Sequence, residues 1–176
     1  MNYHFKNAAP TIPDSVFIAP NATVIGDVII GENSSVWFNT VIRGDVNRIR
    51  IGERTNIQDN STLHVTYQKW GLEIGNNVTV GHGAILHGCT ISSNCLIGMG
   101  ARILDGAHIG KYSLVAAGSL VLQGEKLPSN SLAAGVPAVV KRSLTDEEIE
   151  QIDASAERYV GYKEVYRTRE FGPVEF

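Results

Sequence analysis

Aliphatic residues recur at every sixth position along most of this chain, with short interruptions. A six-residue period fits neither an amphipathic helix nor an alternating hairpin sheet. It predicts a solenoid of short parallel strands, in which three rungs of about six residues close one triangular coil. All seventeen positions are Ile, Val or Leu, and fifteen are β-branched. They are Ile18, Val24, Ile30, Val36, Ile42, Ile51, Ile57, Leu63, Ile74, Val80, Leu86, Ile91, Ile97, Ile103, Ile109, Val115 and Val121.

The chain divides into a repetitive part and a short C-terminal part. A single rung cannot bury its aliphatic side chain, but stacked coils can, and each burial contributes about 1.5–3 kcal/mol before conformational entropy is subtracted. We therefore predict an all-β solenoid over residues 1–142. Residues 143–176 are predicted to form an α-helix and a tail that pack on it, because Thr145 and Glu148 have the spacing of a capping box.

Composition narrows the range of partners. The formal net charge is -3 and the sequence pI is about 5.9, so no basic stripe is available to neutralise phosphates, which argues against nucleic acid as a partner. No apolar run is long enough to cross a bilayer. We expect a soluble, cytoplasmic protein that does not bind membranes. Cys89 and Cys95 lack the spacing of redox or zinc motifs and are predicted to be small buried side chains.

Stacking of the rungs brings polar side chains into columns. Three rungs on one face carry Arg43, His64 and His87 directly after their inward aliphatic residue, so these three side chains form one column. On the neighbouring face, Asp59 lies directly below His82. The fold therefore predicts two stacked histidines on one face and a third histidine on another.

Two imidazoles one coil apart are close enough to share a metal ion. A catalytic zinc site uses three protein ligands, and the column of His64 and His87 supplies two. His82 of a symmetry-related chain can point into that column, and a ring of three chains would then contain three identical sites. The alternative is that all three are ordinary surface histidines. Their clustering within twenty-four residues and their vertical register favour the metal site.

Four segments of the solenoid resemble the γ-class carbonic anhydrase family: VIRGD (41–45), NIQD (56–59), LH (63–64) and GHGAILHG (81–88). The resemblance implies a left-handed parallel β-helix of hexapeptide repeats that assembles as a homotrimer. It implies Zn²⁺, or alternatively Fe²⁺ or Co²⁺, bound by His64 and His87 of one chain and His82 of its neighbour. The implied reaction is the reversible hydration of CO2 to bicarbonate by a metal-bound hydroxide.

The resemblance also implies roles for residues near the metal. Arg43, Asp45 and Asp59 match the arginine and aspartates that hold adjacent subunits together, and Gln58 matches a glutamine beside the metal-bound solvent. The family places a tyrosine from the C-terminal region near the site. Here that tyrosine is Tyr159, with Tyr162 as an alternative and Tyr67 as a weaker one.

Two departures from the family pattern predict slow turnover. The more active members carry one glutamate beside the Arg-x-Asp segment and another in the loop after the first ligand. This chain has Val46 at the first place and no carboxylate in loop 65–71, so we expect slow proton export. Two further functions stay open: a metal-dependent acyl-CoA thioester hydrolase and a non-catalytic scaffold or assembly subunit. A hexapeptide acyltransferase fits the three histidines less well, since those enzymes use a histidine base without a metal.

Overall fold

The computed structural model describes residues 1–168 and Gly172. Within that part, nineteen strands precede one helix, α1 (Asp146–Arg167). The strands are β1 (Asn2–Tyr3), β2 (Phe17–Ile18), β3 (Thr23–Ile30), β4 (Ser35–Val36), β5 (Val41–Ile51), β6 (Asn56–Ile57), β7 (Thr62–His64), β8 (Leu72–Ile74), β9 (Thr79–Val80), β10 (Ile85–His87), β11 (Thr90–Ile91), β12 (Leu96–Ile97), β13 (Arg102–Ile103), β14 (His108–Ile109), β15 (Leu114–Val115), β16 (Leu120–Val121), β17 (Lys126–Leu127), β18 (Ser131–Gly135) and β19 (Ala138–Ser143).

The strands stack into a parallel β-solenoid, as the six-residue period predicts. One face contains β2, β4, β6, β9, β12, β15 and β18 in parallel, with β19 added antiparallel at the end. A second contains the first half of β5 followed by β7, β10, β13 and β16, and a third contains the second half of β5 followed by β8, β11, β14 and β17. The long strands β3 and β5 turn a corner and join these two faces into one sheet.

The core is a stack of aliphatic side chains along the solenoid axis. Sixteen of the seventeen repeat positions are buried, and the remaining one, Ile18, is half-buried against the same core. Several fully buried residues fall outside the period, among them the large aliphatic residues Val28, Ile49 and Leu72. These three lie beside one another in β3, β5 and β8. Ile49 and Leu72 lie in the two longest interruptions of the period, between Ile42 and Ile51 and between Leu63 and Ile74, so each of these interruptions adds an inward residue to the core.

Helix α1 begins where the capping box predicts. The Thr145 side chain accepts a hydrogen bond from the Glu148 backbone, and the Glu148 side chain accepts one from the Thr145 backbone. Ile152 and Ala156 are buried, and the helix contacts β2, β4 and β9. Residues 169–171 and 173–176 of the predicted tail lie outside the described residues. No helix in residues 1–168 combines the length and the apolar content that crossing a bilayer requires.

The two cysteines are free thiols in the buried interior, as their spacing predicts. Burial raises the pKa of Cys89 to about 12 and that of Cys95 to about 11. Both thiols are therefore protonated at neutral pH and are poor nucleophiles.

Candidate metal centre

His64 and His87 lie one above the other on a single face of the solenoid. They end β7 and β10, and the two strands pair in parallel with His87 opposite His64. The preceding residues, Leu63 and Leu86, point into the core, so strand alternation directs both imidazoles outward. Nδ1 of His64 is 3.1 Å from Nε2 of His87, and the ring centroids are 5.1 Å apart.

Two carboxylates contact the outer nitrogens of this pair. Asp45 Oδ1 is 3.0 Å from Nε2 of His64, and Asp105 Oδ1 is 2.7 Å from Nδ1 of His87. An ionised carboxylate accepts hydrogen bonds and donates none, so in each neutral imidazole the proton belongs on the nitrogen that faces the carboxylate. The two nitrogens that face each other at 3.1 Å then both carry lone pairs. A cation bound between them would replace the repulsion of the two lone pairs with attraction.

The electrostatic environment favours neutral imidazole at His64. Burial lowers the pKa of His64, and the positive charge of Arg43 acts in the same direction, although the hydrogen bond to Asp45 opposes them. Burial works to raise the pKa of Asp45, but hydrogen bonds with Arg43 and His64 outweigh it and leave that pKa below its usual value. Metal ligation requires a neutral imidazole and benefits from a carboxylate on its other nitrogen.

The spacing of the two nitrogens fits a shared metal ion. Two nitrogens that each lie about 2.0–2.1 Å from a tetrahedral ion are separated by about 3.3 Å, close to the observed 3.1 Å. Within one chain, however, residues 1–168 and Gly172 contain no group of three or more His, Cys, Asp or Glu residues able to hold a metal. The two imidazoles could hold a divalent metal ion only together with further ligands from outside this pair.

His82 lies on the neighbouring face, two residues after the end of β9. Its Nδ1 is 2.8 Å from Asp59 Oδ2, as predicted from the stacking of β6 under β9. The imidazole side chain is 47% exposed, which leaves it accessible to another molecule. The described contacts of this chain do not bring it to His64 or His87.

Gln58 is buried beside His82. Its Nε2 donates to Asn56 Oδ1 over 3.1 Å, which fixes the amide. The side chain lines a cavity of about 410 Å³ together with His82 and mostly apolar residues, including Met99 and Val115. Amide and imidazole therefore meet at the edge of an apolar recess.

Arg43 and Asp45 form an ion pair within one chain, where the family resemblance implies contacts between chains. Arg43 donates to Asp45 Oδ2, and the other oxygen of Asp45 contacts His64. Both belong to β5, one coil below β7. In this chain the pair orients an imidazole of the column.

The C-terminal tyrosines lie on the Asp59 side. Tyr159 and Tyr162 line a cavity of about 340 Å³ together with Asp59 and Trp37. Tyr159 packs edge-on against Trp37, with ring centroids 5.4 Å apart. Burial raises the pKa of Tyr159, and the charge of Asp59 adds to that effect. Tyr67, in loop 65–71, is 66% exposed.

Sequence reasoning missed Asp105 and its partner Thr66, whose hydroxyl donates to Asp105 Oδ2 over 2.8 Å. A signal was present, because β13 pairs with β10 and aligns Ile103 with Leu86. Continuing the column by one rung brings the chain just after Ile103 over His87. The register alone does not give the direction of a side chain at the corner where Asp105 lies.

Two kinds of comparison with known proteins agree with this architecture. The family model described as Bacterial transferase hexapeptide (six repeats) matches residues 9–44 and 88–123. A Bacillus cereus crystal structure, provisionally described as an acetyltransferase, is 49% identical, covers 96% of this chain and 97% of its own, and superposes with a TM-score of 0.94. The same fold is thus present in that relative.

Named carbonic anhydrases are similar over most of the chain. The identity is 52% over 167 residues to a carbonic anhydrase of Geobacillus kaustophilus, covering 95% of this chain and 91% of that protein. It is 47% over 163 residues to mitochondrial Gamma carbonic anhydrase 2 of Arabidopsis thaliana, covering 90% of this chain but 59% of that protein. This chain thus spans about three fifths of the plant relative. The chain belongs to the γ-class carbonic anhydrase family of hexapeptide-repeat proteins.

Proposed function

We propose that this protein is a metal-dependent carbonic anhydrase that reversibly hydrates CO2 to bicarbonate at the interfaces of a homotrimer. The observation that carries the proposal is the pair of imidazole nitrogens, His64 Nδ1 and His87 Nε2, that face each other at 3.1 Å. Carboxylates on their outer nitrogens give both inner nitrogens lone pairs. The similarity to named carbonic anhydrases supports the reaction.

The third ligand of each proposed site is His82 of an adjacent chain. Its own chain holds it through Asp59 and leaves it exposed on a different face. In a closed ring each chain presents one face to each neighbour, so a ring of three chains has three equivalent seams. Each seam then receives two imidazoles from one chain and one from the next.

A bound Zn²⁺, Fe²⁺ or Co²⁺ would supply the nucleophile by lowering the pKa of water from 15.7 to about 7. The protein orients the ligands and supplies a mostly apolar recess. Asp45 and Asp105 hold the imidazoles of His64 and His87, while the mostly apolar cavity beside His82 suits an uncharged substrate such as CO2. Gln58, fixed by Asn56, presents an amide that can donate to developing negative charge.

Proton export is the slow step of the proposed reaction. Asp59 contacts His82 and lines a cavity together with Tyr159. These two are the polar side chains near His82 that could pass a proton to solvent. Loop 65–71 and Val46 contribute no carboxylate. Turnover should therefore respond strongly to small buffer molecules, which can carry the proton instead.

Metal analysis and CO2 hydration on one sample test the proposal. Chelator-free protein is analysed for metal and then assayed by stopped flow with and without added Zn²⁺, Co²⁺ or Fe²⁺. We expect stoichiometric metal and metal-dependent hydration in the wild type, and loss of both in His82→Ala. His108→Ala, on a surface strand near Ser92, is the matched control and should behave as the wild type. Retention of stoichiometric metal by His82→Ala would contradict the proposal.

A second candidate is metal-dependent hydrolysis of an acyl-CoA thioester. It is favoured by the acetyltransferase description of the Bacillus cereus relative and by the cavity of about 410 Å³ beside His82. Release of free thiol from acetyl-CoA, measured on the same metal-loaded sample, separates the two. Bound metal with thioester cleavage and without hydration would support the hydrolase, and bound metal with neither would support a scaffold.

A further inference from the structure

We propose that Asp105 is a positioning residue of the metal centre, which together with Thr66 fixes His87 in the tautomer whose Nε2 lone pair faces His64. This inference rests on the proposed function. It adds a residue from the rung above the predicted column, and it gives the loop after His64 a role in orienting the other histidine of the pair.

Both oxygens of Asp105 are engaged, so the plane of its carboxylate is fixed. Oδ1 is 2.7 Å from Nδ1 of His87, and Oδ2 accepts from the Thr66 hydroxyl over 2.8 Å. The side chain is only 21% exposed, which limits competition from water. A carboxylate held in this way accepts a hydrogen bond from a protonated ring nitrogen of His87. It has no donor to offer to an unprotonated ring nitrogen.

Glycine at position 88 permits the close approach of Asp105. Gly88 follows His87 and has φ +52°, and a Cβ at this position would lie 2.3 Å from Asp105 Oδ1 and 3.0 Å from Trp70 Cβ. Any larger residue would displace the carboxylate from the imidazole. By contrast, Gly118 has φ +68° with nothing within 4 Å of its ideal Cβ.

Loop 65–71 delivers Thr66 to Asp105. The Thr66 backbone N–H donates to Trp70 O over 3.0 Å, which closes the loop on itself. Asn47 Nδ2 donates to Thr66 O over 3.1 Å and ties the loop to β5. The residues that follow the first histidine are thereby held in a position that fixes the carboxylate of the second.

The consequence for metal binding follows from the chemistry of imidazole. A neutral imidazole binds a cation only through the nitrogen that carries no proton, so a free choice of tautomer reduces the population able to bind. Loss of the carboxylate partner of a metal-ligating histidine typically weakens metal affinity 10–100-fold. Asp45 and Asp105 then perform matching tasks for His64 and His87.

The test compares variants of the full-length protein in its native assembly. Zn²⁺ affinity is measured by chelator competition, and the ring ¹⁵N shifts of His87 are recorded in metal-free protein. Asp105→Asn can turn its amide N–H₂ toward His87, so we expect a mixture of tautomers and 10–100-fold weaker Zn²⁺ binding. Thr66→Val should shift both readouts in the same direction, and Thr66→Ser, which keeps the hydroxyl, should restore wild-type values.

Glycine variants provide an independent arm of the test. Gly88→Ala should weaken Zn²⁺ binding and disturb the His87 tautomer, whereas Gly118→Ala carries the same backbone strain without the clash and should leave both unchanged. A wild-type tautomer pattern and wild-type Zn²⁺ affinity in Asp105→Asn and Thr66→Val would overturn the inference. Absence of Zn²⁺ binding in the wild type would instead overturn the proposed function, while the ¹⁵N shifts would still report whether Asp105 fixes His87.

Discussion

Truncation of Leu86 tests how the coil stack supports both stability and the candidate site. Leu86 is fully buried and lies between Leu63 in the coil below and Ile103 in the coil above. Backbone pairing on both sides holds the coil spacing, so the cavity left by Leu86→Ala cannot readily collapse. Leu-to-Ala substitutions in cores lower the free energy of unfolding by about 2–5 kcal/mol. Because this site is rigid, we expect Leu86→Ala to cost about 3–5 kcal/mol.

The assay is urea denaturation followed by circular dichroism at one fixed protein concentration, since assembly makes the midpoint concentration-dependent. Leu122→Ala is the chemically matched control, because Leu122 is 45% exposed and should cost less than about 1 kcal/mol. Leu86 also precedes His87, so its loss should weaken metal binding. Equal losses of unfolding free energy for the two variants would refute the stacked-core reasoning.

Three further predictions concern the thiols, the helix cap and the packing between coils. Cys89 and Cys95, whose pKa values burial raises to about 12 and about 11, should resist a thiol reagent at pH 8 and react fully in denaturant; rapid native labelling would contradict their burial. The hydrogen bonds from Arg142 lower the pKa of Glu148 to about 2, so Glu148→Gln should be less stable than the wild type at neutral pH. This difference in unfolding free energy should vanish as the pH falls from about 4.5 towards 2, because the wild-type carboxylate is then protonated in both the folded and the unfolded state. A difference that does not change with pH would count against this pairing. Gly98→Ala would place a Cβ 2.4 Å from a backbone nitrogen of the next coil and should lower stability by about 1–3 kcal/mol in thermal or urea unfolding, whereas an unchanged midpoint would show that the coils can separate.

The solenoid was predictable because its information is local and repeated. In a parallel stack each inward position lies above another inward position, so the identity of one residue in six is enough to indicate the fold. The same geometry predicts that His64 and His87 align and that Asp59 lies below His82, and the contacts confirm both arrangements.

The remainder depends on side-chain direction at corners, which periodicity does not encode. Val28, Ile49 and Leu72 are fully buried although they fall outside the six-residue count, and Val28 and Ile49 lie side by side on the long strands β3 and β5 that turn a corner. Asp105 lies after a rung, at a corner where the sequence pattern does not fix side-chain direction, and it turns toward His87. The sharing of one metal site between His64 and His87 of one chain and His82 of another concerns two chains, so it stays a prediction.

Metal content of mixed oligomers tests most directly the claim that two chains share each site. His82→Ala and His64→Ala chains, carrying different affinity tags, are co-expressed, and trimers containing both are isolated by two successive tag purifications. A mixed ring of three contains one seam at which an intact His64 and His87 face an intact His82, so we predict one bound metal ion per mixed trimer and none in either pure variant. Mixed trimers without metal, prepared beside a fully loaded wild type, would contradict the shared site.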